Sequence, residues 1–144
     1  MPFTLLKPSG IDLAQNFAFT GSVSGAGGGK VLQVVGASYT TQTSSTANSY
    51  SDTGLTASIT PSSSSNKVLI IVQQSIGKTA ANTWSDVKLQ RGSTDLGNVK
   101  SVCYTATSSP ALYLGSAIGY TYLDSPSSTS ATTYKTVFRN VAAS

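Results

Sequence analysis

Short apolar runs separated by polar turns dominate the chain, and this pattern predicts β-strands. Two runs, Val31–Val35 and Val68–Val72, are rich in valine and isoleucine and lie close to Gly or Pro-Ser punctuation. Both are too short for a buried helix, so we expect two buried strands. Between them, apolar and polar residues alternate over Leu55–Thr60, which is typical of a half-buried strand, and Pro61 closes that strand.

The downstream sequence predicts more strands of the same kind. Trp84–Arg91 alternates, with Val87 and Leu89 on one face and charged or amide side chains on the other. Polar loops and turns separate the strands, and no stretch has a convincing helical period. Eight or nine short strands predict an all-β fold, an antiparallel β-sandwich with jelly-roll-like character. The other expected elements are a tight turn at Asp52–Gly54, a hairpin turn at Gly92–Thr94, and strands over Asp95–Tyr104, Ala111–Leu123 and Thr132–Asn140.

Residues 1–29 differ from the sandwich domain that we expect over residues 30–144. They hold spaced large apolar side chains and end in a glycine-rich hinge, Gly25–Gly29. A loose leader is one interpretation, but such leaders seldom hold so many large apolar residues, which need burial to offset the entropy of ordering. We therefore expect an extended arm that docks on another subunit through Phe3, Leu5, Leu6, Ile11, Leu13, Phe17 and Phe19.

Charge and apolar content argue against nucleic acid and membrane partners. The net charge is +4, but the nine basic residues are scattered and never adjacent. A nucleic-acid-binding protein usually concentrates basic residues and interleaves aromatics, so we expect solvated edge-strand lysines instead. No apolar segment approaches membrane-spanning length, and the N-terminus has no charged lead-in typical of a signal peptide. We expect synthesis in a cytoplasm.

Catalytic and metal-binding residue sets are sparse in this sequence. It has no histidine and a single cysteine, Cys103, which we expect to be buried. Triad chemistry and zinc sites are therefore not expected, and Gly25–Lys30 lacks the spacing of a phosphate loop. The carboxylates are Asp12, Asp52, Asp86, Asp95 and Asp124, of which we expect Asp52 and Asp124 to cap turn N–H groups. We predict no enzyme activity and no cofactor, and a calcium site of turn aspartates is the alternative.

Aromatic side chains offer one candidate for surface recognition. Tyr120 and Tyr122 share the parity of the apolar face of their strand, so we expect them in the core. Trp84 lies beside a polar loop and has no such assignment. It is our candidate for contact with a protein partner or a glycan.

Several stretches resemble a β-domain of tailed-bacteriophage virion proteins, frequent in cyanophages and marine phages. They are KVLQVV at Lys30–Val35, DTGLTASITPSSSSNKVLIIV at Asp52–Val72, LQRGST at Leu89–Thr94, and YLDSPSSTSATTYK at Tyr122–Lys135. The leader FAFTGSVSG at Phe17–Gly25 is also similar to leaders of such proteins. This family includes head-decoration proteins, head fibres and tail fibres.

The resemblance implies a homotrimer on the outer surface of the virion, made in the host cytoplasm. As a capsid decoration protein it would bind the major capsid protein, or another virion protein, through its N-terminal arm. The alternative is a tail-fibre tip that contacts host surface polysaccharide. That tip would use loops such as Ser62–Asn66, Lys78–Thr83 and Ser125–Ala131.

Overall fold

The computed structural model describes residues 30–99, 102–104 and 114–142. The chain divides into two units, Met1–Gln33 and Val34–Ser144. In the first unit, only the four residues 30–33 are described, and they form no strand. The second unit contains all the described secondary structure, which is entirely β. In the part of the chain that the structure describes, no helix could serve as a membrane span.

Six antiparallel strands form two sheets among the described residues. One sheet has four strands in the order β1-β6-β3-β4, and the other pairs β2 with β5. The two sheets pack against each other as a β-sandwich, which confirms the predicted all-β, antiparallel sandwich. The strands are β1 (Ser51–Ile59), β2 (Val68–Lys78), β3 (Thr83–Arg91), β4 (Thr94–Val99), β5 (Leu114–Asp124) and β6 (Thr132–Ala142).

Strict alternation in the sequence determines which face of each strand turns inward. On β3, Val87 and Leu89 are fully buried between the sheets, as predicted. On β2, even-numbered positions from Val68 to Lys78 face inward and odd-numbered positions are exposed. The other buried apolar side chains of the described residues are Val68, Cys103, Ile118, Tyr134 and Val137, which agrees with the expectation for Cys103.

Polar contacts join the two sheets across this small core. The Thr136 hydroxyl of β6 donates to Oε1 of Gln74 in β2 at 2.8 Å, and it lies 2.6 Å from the Thr53 hydroxyl of β1. The Tyr120 hydroxyl of β5 donates to the Val87 carbonyl of β3 at 2.9 Å. The interior thus depends on satisfied hydrogen bonds as well as on apolar burial.

Several sequence-based expectations are wrong, among them the core position of Tyr122, which is exposed. Val31–Val35 forms no strand, and its apolar side chains are exposed. Val68–Val72 is a strand, but it belongs to a two-stranded sheet and is buried on one face only. Asp52–Gly54 is no tight turn, because these residues lie inside β1 at an irregularity in its pairing with β6. Of the eight or nine strands expected, six lie among the described residues.

The irregularity in β1 depends on Gly54. Register with β6 shifts between Asp52 and Thr56, and Gly54 has a φ of +96°. Non-glycine residues rarely adopt this conformation, because their Cβ collides with the backbone. The Tyr39 ring lies against the same glycine, since a Cβ built there would collide with Tyr39 Cζ. Gly54 therefore permits both the bulge and the position of the Tyr39 ring.

We predict that Gly54→Ala lowers the free energy of unfolding by roughly 1–2 kcal/mol, because alanine is strained at this φ and displaces the Tyr39 ring. The matched control is Gly36→Ala, where an added Cβ meets nothing within 4 Å. That substitution should change stability by less than about 0.5 kcal/mol. Urea unfolding of both variants measures the difference, and equal stabilities would contradict the bulge argument.

Candidate binding surface

The structure describes the recognition candidate, Trp84, but not the predicted docking residues. Phe3, Leu5, Leu6, Ile11, Leu13, Phe17 and Phe19 lie outside the described residues, so their role stays a prediction. Trp84 lies on the outward face of β3 and is half-buried. Its ring is 6.2 Å from that of Tyr104, tilted by 57°, an edge-to-face type of contact. A role for Trp84 in recognition also stays a prediction.

Every aspartate in the described residues has a basic partner. Asp95 pairs with Lys88 at 2.6 Å and Asp52 with Lys135 at 2.7 Å, both on outward faces. The Arg139 guanidinium donates to Asp86 Oδ2 through Nε at 3.0 Å and Nη2 at 2.8 Å. No group of three or more potential metal-ligating side chains occurs in residues 30–99, 102–104 and 114–142.

Asp124 is the most constrained of these carboxylates. It ends β5, is buried, and accepts hydrogen bonds from Nη1 of Arg91 at 2.8 and 2.7 Å. The Tyr134 hydroxyl donates to the same carboxylate at 2.7 Å. Arg91 belongs to β3 and Tyr134 to β6, so one carboxylate ties β5 to two strands of the opposite sheet. These partners, and Lys135 for Asp52, replace the turn N–H groups expected from the sequence.

Burial raises the pKa of the Tyr134 phenol well above its ordinary value of 10.0, and the hydrogen bond to the Asp124 carboxylate adds to the rise. Both causes favour the neutral phenol, which can donate to a carboxylate, over the phenolate, which would repel it.

A second cluster lies on the outward face of the four-stranded sheet. The Tyr50 ring has Lys88 Nζ 3.9 Å from its centroid and Arg139 Cζ 4.8 Å from it. Both cations also pair with aspartates, so the cluster links aromatic, cationic and anionic groups. Because its charges are neutralised internally, this face offers little net attraction to a charged ligand.

The outward face of the two-stranded sheet is apolar at one end. Leu69 and Leu123 are direct cross-strand partners and are 59% and 56% exposed. Ile71, two residues along β2 on the same face, is 67% exposed. Large apolar residues clustered on one exposed face indicate a contact surface. Sequence reasoning missed this surface, because the run Val68–Val72 gives no sign that one of its faces lacks a neighbour.

A second set of exposed apolar residues lies in the Val31–Val35 segment. Val31 and Val34 are more than 80% exposed, and Leu32 is 64% exposed. The segment is therefore as apolar as a buried strand, and yet it forms no strand. We call Leu69, Ile71 and Leu123 the outer patch, and Val31–Val35 the apolar segment.

The three loops proposed for host contact do not share one end of the sheet. Val68 pairs with Asp124, so the loops at Ser62–Asn66 and Ser125–Ala131 flank the same end of β2–β5. Lys78, which pairs with Leu114, is at the opposite end and is buried. Its ammonium donates to the hydroxyl of Thr83 at 3.0 Å, which fixes both ends of the Lys78–Thr83 connection.

Comparisons with known proteins give no relatives for this chain. No family model, no curated protein and no solved structure matches it.

We predict that Asp124→Ala lowers the free energy of unfolding by about 3 kcal/mol, because it leaves the Arg91 charge and the buried Tyr134 hydroxyl without their acceptor. The matched control is Asp52→Ala, which removes an ion pair of the same 2.7 Å length at a residue that is 62% exposed. The control should cost less than about 1 kcal/mol. Chemical denaturation compares them, and similar losses would contradict a specific role for the buried carboxylate.

Alkaline pH should destabilise the fold through Tyr134. Because the folded-state pKa is raised, the stability gained from the neutral phenol is complete below about pH 10 and is lost as pH rises above it. The loss approaches about 1.4 kcal/mol per pH unit, since the unfolded chain releases this proton first. Melting curves from pH 9 to 11.5 should fall more steeply for the wild type than for Tyr134→Phe. Tyr104→Phe, at an exposed ring, serves as the control and should retain the wild-type slope.

Proposed function

We propose that this chain is a non-enzymatic structural protein of a tailed-bacteriophage particle, a homotrimeric decoration protein on the outside of the capsid. The resemblance of its β-domain sequence to virion proteins suggests the setting. The observation in the structure that supports adhesion is the position of the large apolar side chains. Those of the outer patch and the apolar segment are largely exposed, whereas each described aspartate is neutralised by a cation.

In this proposal the N-terminal residues supply the attachment to the shell. Phe17, Phe19 and the other spaced apolar residues of the arm insert between neighbouring capsid subunits. Burying one such side chain is worth about 1.5–3 kcal/mol, so a few give useful affinity. A protein that binds only the assembled shell stabilises it by mass action, because dissociation of the shell must also release the bound protein.

The receptor-binding alternative places the same fold at the tip of a tail fibre. Host polysaccharide would then contact Trp84 or the loops between strands. The loop arrangement favours decoration over this alternative, because the three candidate loops are split between opposite ends of β2–β5 and the Lys78–Thr83 connection is tied by its buried lysine. A contiguous recognition tip would have to use only part of that set.

We predict that the purified chain cosediments with undecorated capsids of its phage and raises their melting temperature. Phe17→Ala with Phe19→Ala should weaken capsid binding at least roughly 100-fold, because two aromatic side chains lose their burial. The control is the neighbouring polar pair, Asn16→Ala with Thr20→Ala, which should bind like the wild type.

The proposal is contradicted if the protein binds host cells and does not bind capsids. Trp84 is the only tryptophan, so its fluorescence reports directly on that residue. A fluorescence change with host polysaccharide, together with host-cell binding that survives deletion of residues 1–29 and no binding to capsids, would establish the fibre-tip alternative instead.

A further inference from the structure

The two layers of the sandwich are unequal in width, and this leaves β1 poorly covered. Four strands of one sheet face two of the other among the described residues. The inward side chains of β1, Leu55, Ala57 and Ile59, stay only half-buried. In a sandwich, the inner face of each strand is normally covered by the opposite sheet. Among the described residues, the two-stranded sheet therefore has no strand that fully covers β1.

The contacts between the layers locate the vacant position beside β2. β5 lies toward β4, since these strands contact each other and a Cβ built on Gly97 would be 3.7 Å from the Tyr120 ring. β2 lies toward β6 and β1, since Gln74 bonds Thr136, which in turn bonds Thr53. The unpaired edge of β2 therefore points to the side of β1. An added strand at this edge would cover the half-buried residues of β1.

The β2 edge also lacks the features that protect natural sheet edges. Its sequence, VLIIVQQSIGK, contains no proline and no charged residue before the terminal Lys78. Exposed edge strands usually hold lysine, proline or a bulge that blocks pairing with another chain. The register of β2 with β5 is also regular over the whole length of the strand. This edge is built to accept a partner strand.

The apolar segment has the properties of that partner. It is valine-rich, with Leu32 and Val34 on one face and with Val31 and Val35 on the other, where Gln33 lies between them. In its own chain, it forms no strand. As an added strand it would place one set of side chains over β1 and the other set beside the outer patch, so both sets would be buried or sheltered.

We infer that the open β2 edge of one copy receives Val31–Val35 of a second copy as an added strand. The occupant is a second copy, because in its own chain the segment forms no strand and its apolar side chains stay exposed. A head-to-tail ring of copies then satisfies every segment and every edge. The inference deepens the self-association that belongs to the proposed function, and it assigns the residues of that interface.

Disulfide trapping tests the pairing directly. Five variants of a Cys103→Ala chain are made, and each has a single cysteine at one of the positions from 31 to 35. A larger tagged chain has Ile71→Cys on the outward face of β2, and the two are mixed and oxidised. Strand addition predicts interchain products of the mixed size with a period of two along the segment. In the control, the larger chain has Thr129→Cys, in the exposed loop before β6, instead of Ile71→Cys. This pair of chains should give no mixed-size product.

The pattern of products is decisive. Absence of mixed-size products at all five positions, or equal yields at all five, would overturn the inference. Absence at all five positions is also the result expected if the segment covers the β2 of its own chain.

Sedimentation of the full chain gives a second measurement. Val34→Asp should raise the dissociation constant of the oligomer at least roughly 10-fold, because a carboxylate enters an apolar contact. Thr46→Asp is the control, since Thr46 is also exposed and lies in the same strand-free stretch of residues 30–50. Unchanged association of Val34→Asp would overturn the inference.

The outcomes separate this inference from the proposed function. Capsid binding without the period-two products would remove the strand addition and leave decoration intact. The period-two products without capsid binding would do the reverse.

Discussion

The sandwich depends on one buried carboxylate that holds its two layers together. The fully buried apolar set of the described chain is small, and it includes few large side chains. Asp124, at the end of β5, accepts hydrogen bonds from Arg91 of β3 and Tyr134 of β6, so it fixes the position of the narrow sheet on the wide one. A buried charge is costly unless it is fully paired, and that cost restricts the layers to the arrangement in which both donors reach it.

The small apolar core is accompanied by large apolar side chains on the surface of the molecule. Hydrogen bonds such as Gln74–Thr136 and Tyr120–Val87 join the two layers in the interior. Leu69, Ile71 and Leu123 remain on an exposed face, and the apolar segment forms no strand. Because apolar surface left in water is unfavourable, a chain with this distribution gains stability by association. Adhesion to a shell and pairing between copies would both bury these exposed apolar side chains.

Local patterns predicted much of the fold because the alternation of a strand is visible in the sequence. β3 has the predicted inward Val87 and Leu89, the turn at Gly92 leads into β4, and Tyr134 and Phe138 share a parity on β6. The strand expected over Ala111–Leu123 is described from Leu114 and ends one residue later than predicted. The predictions fail where the conformation of a segment depends on the strands that pair with it. Asp52–Gly54 has the composition of a turn, yet its residues extend β1 through a bulge, because pairing with β6 continues on both sides.

The sequence by itself determined the fold class, the period of the strands and the burial of Cys103, because these follow from side-chain chemistry and local backbone preference. Tertiary structure alone decided that Val68–Val72 has one wet face and that Asp124 joins the layers rather than capping a turn. It also decided that Val31–Val35 forms no strand. The reason is physical: an apolar run specifies that a surface is to be buried, but which strand or which molecule buries it depends on the number and position of neighbours, and these are properties of the assembled layers.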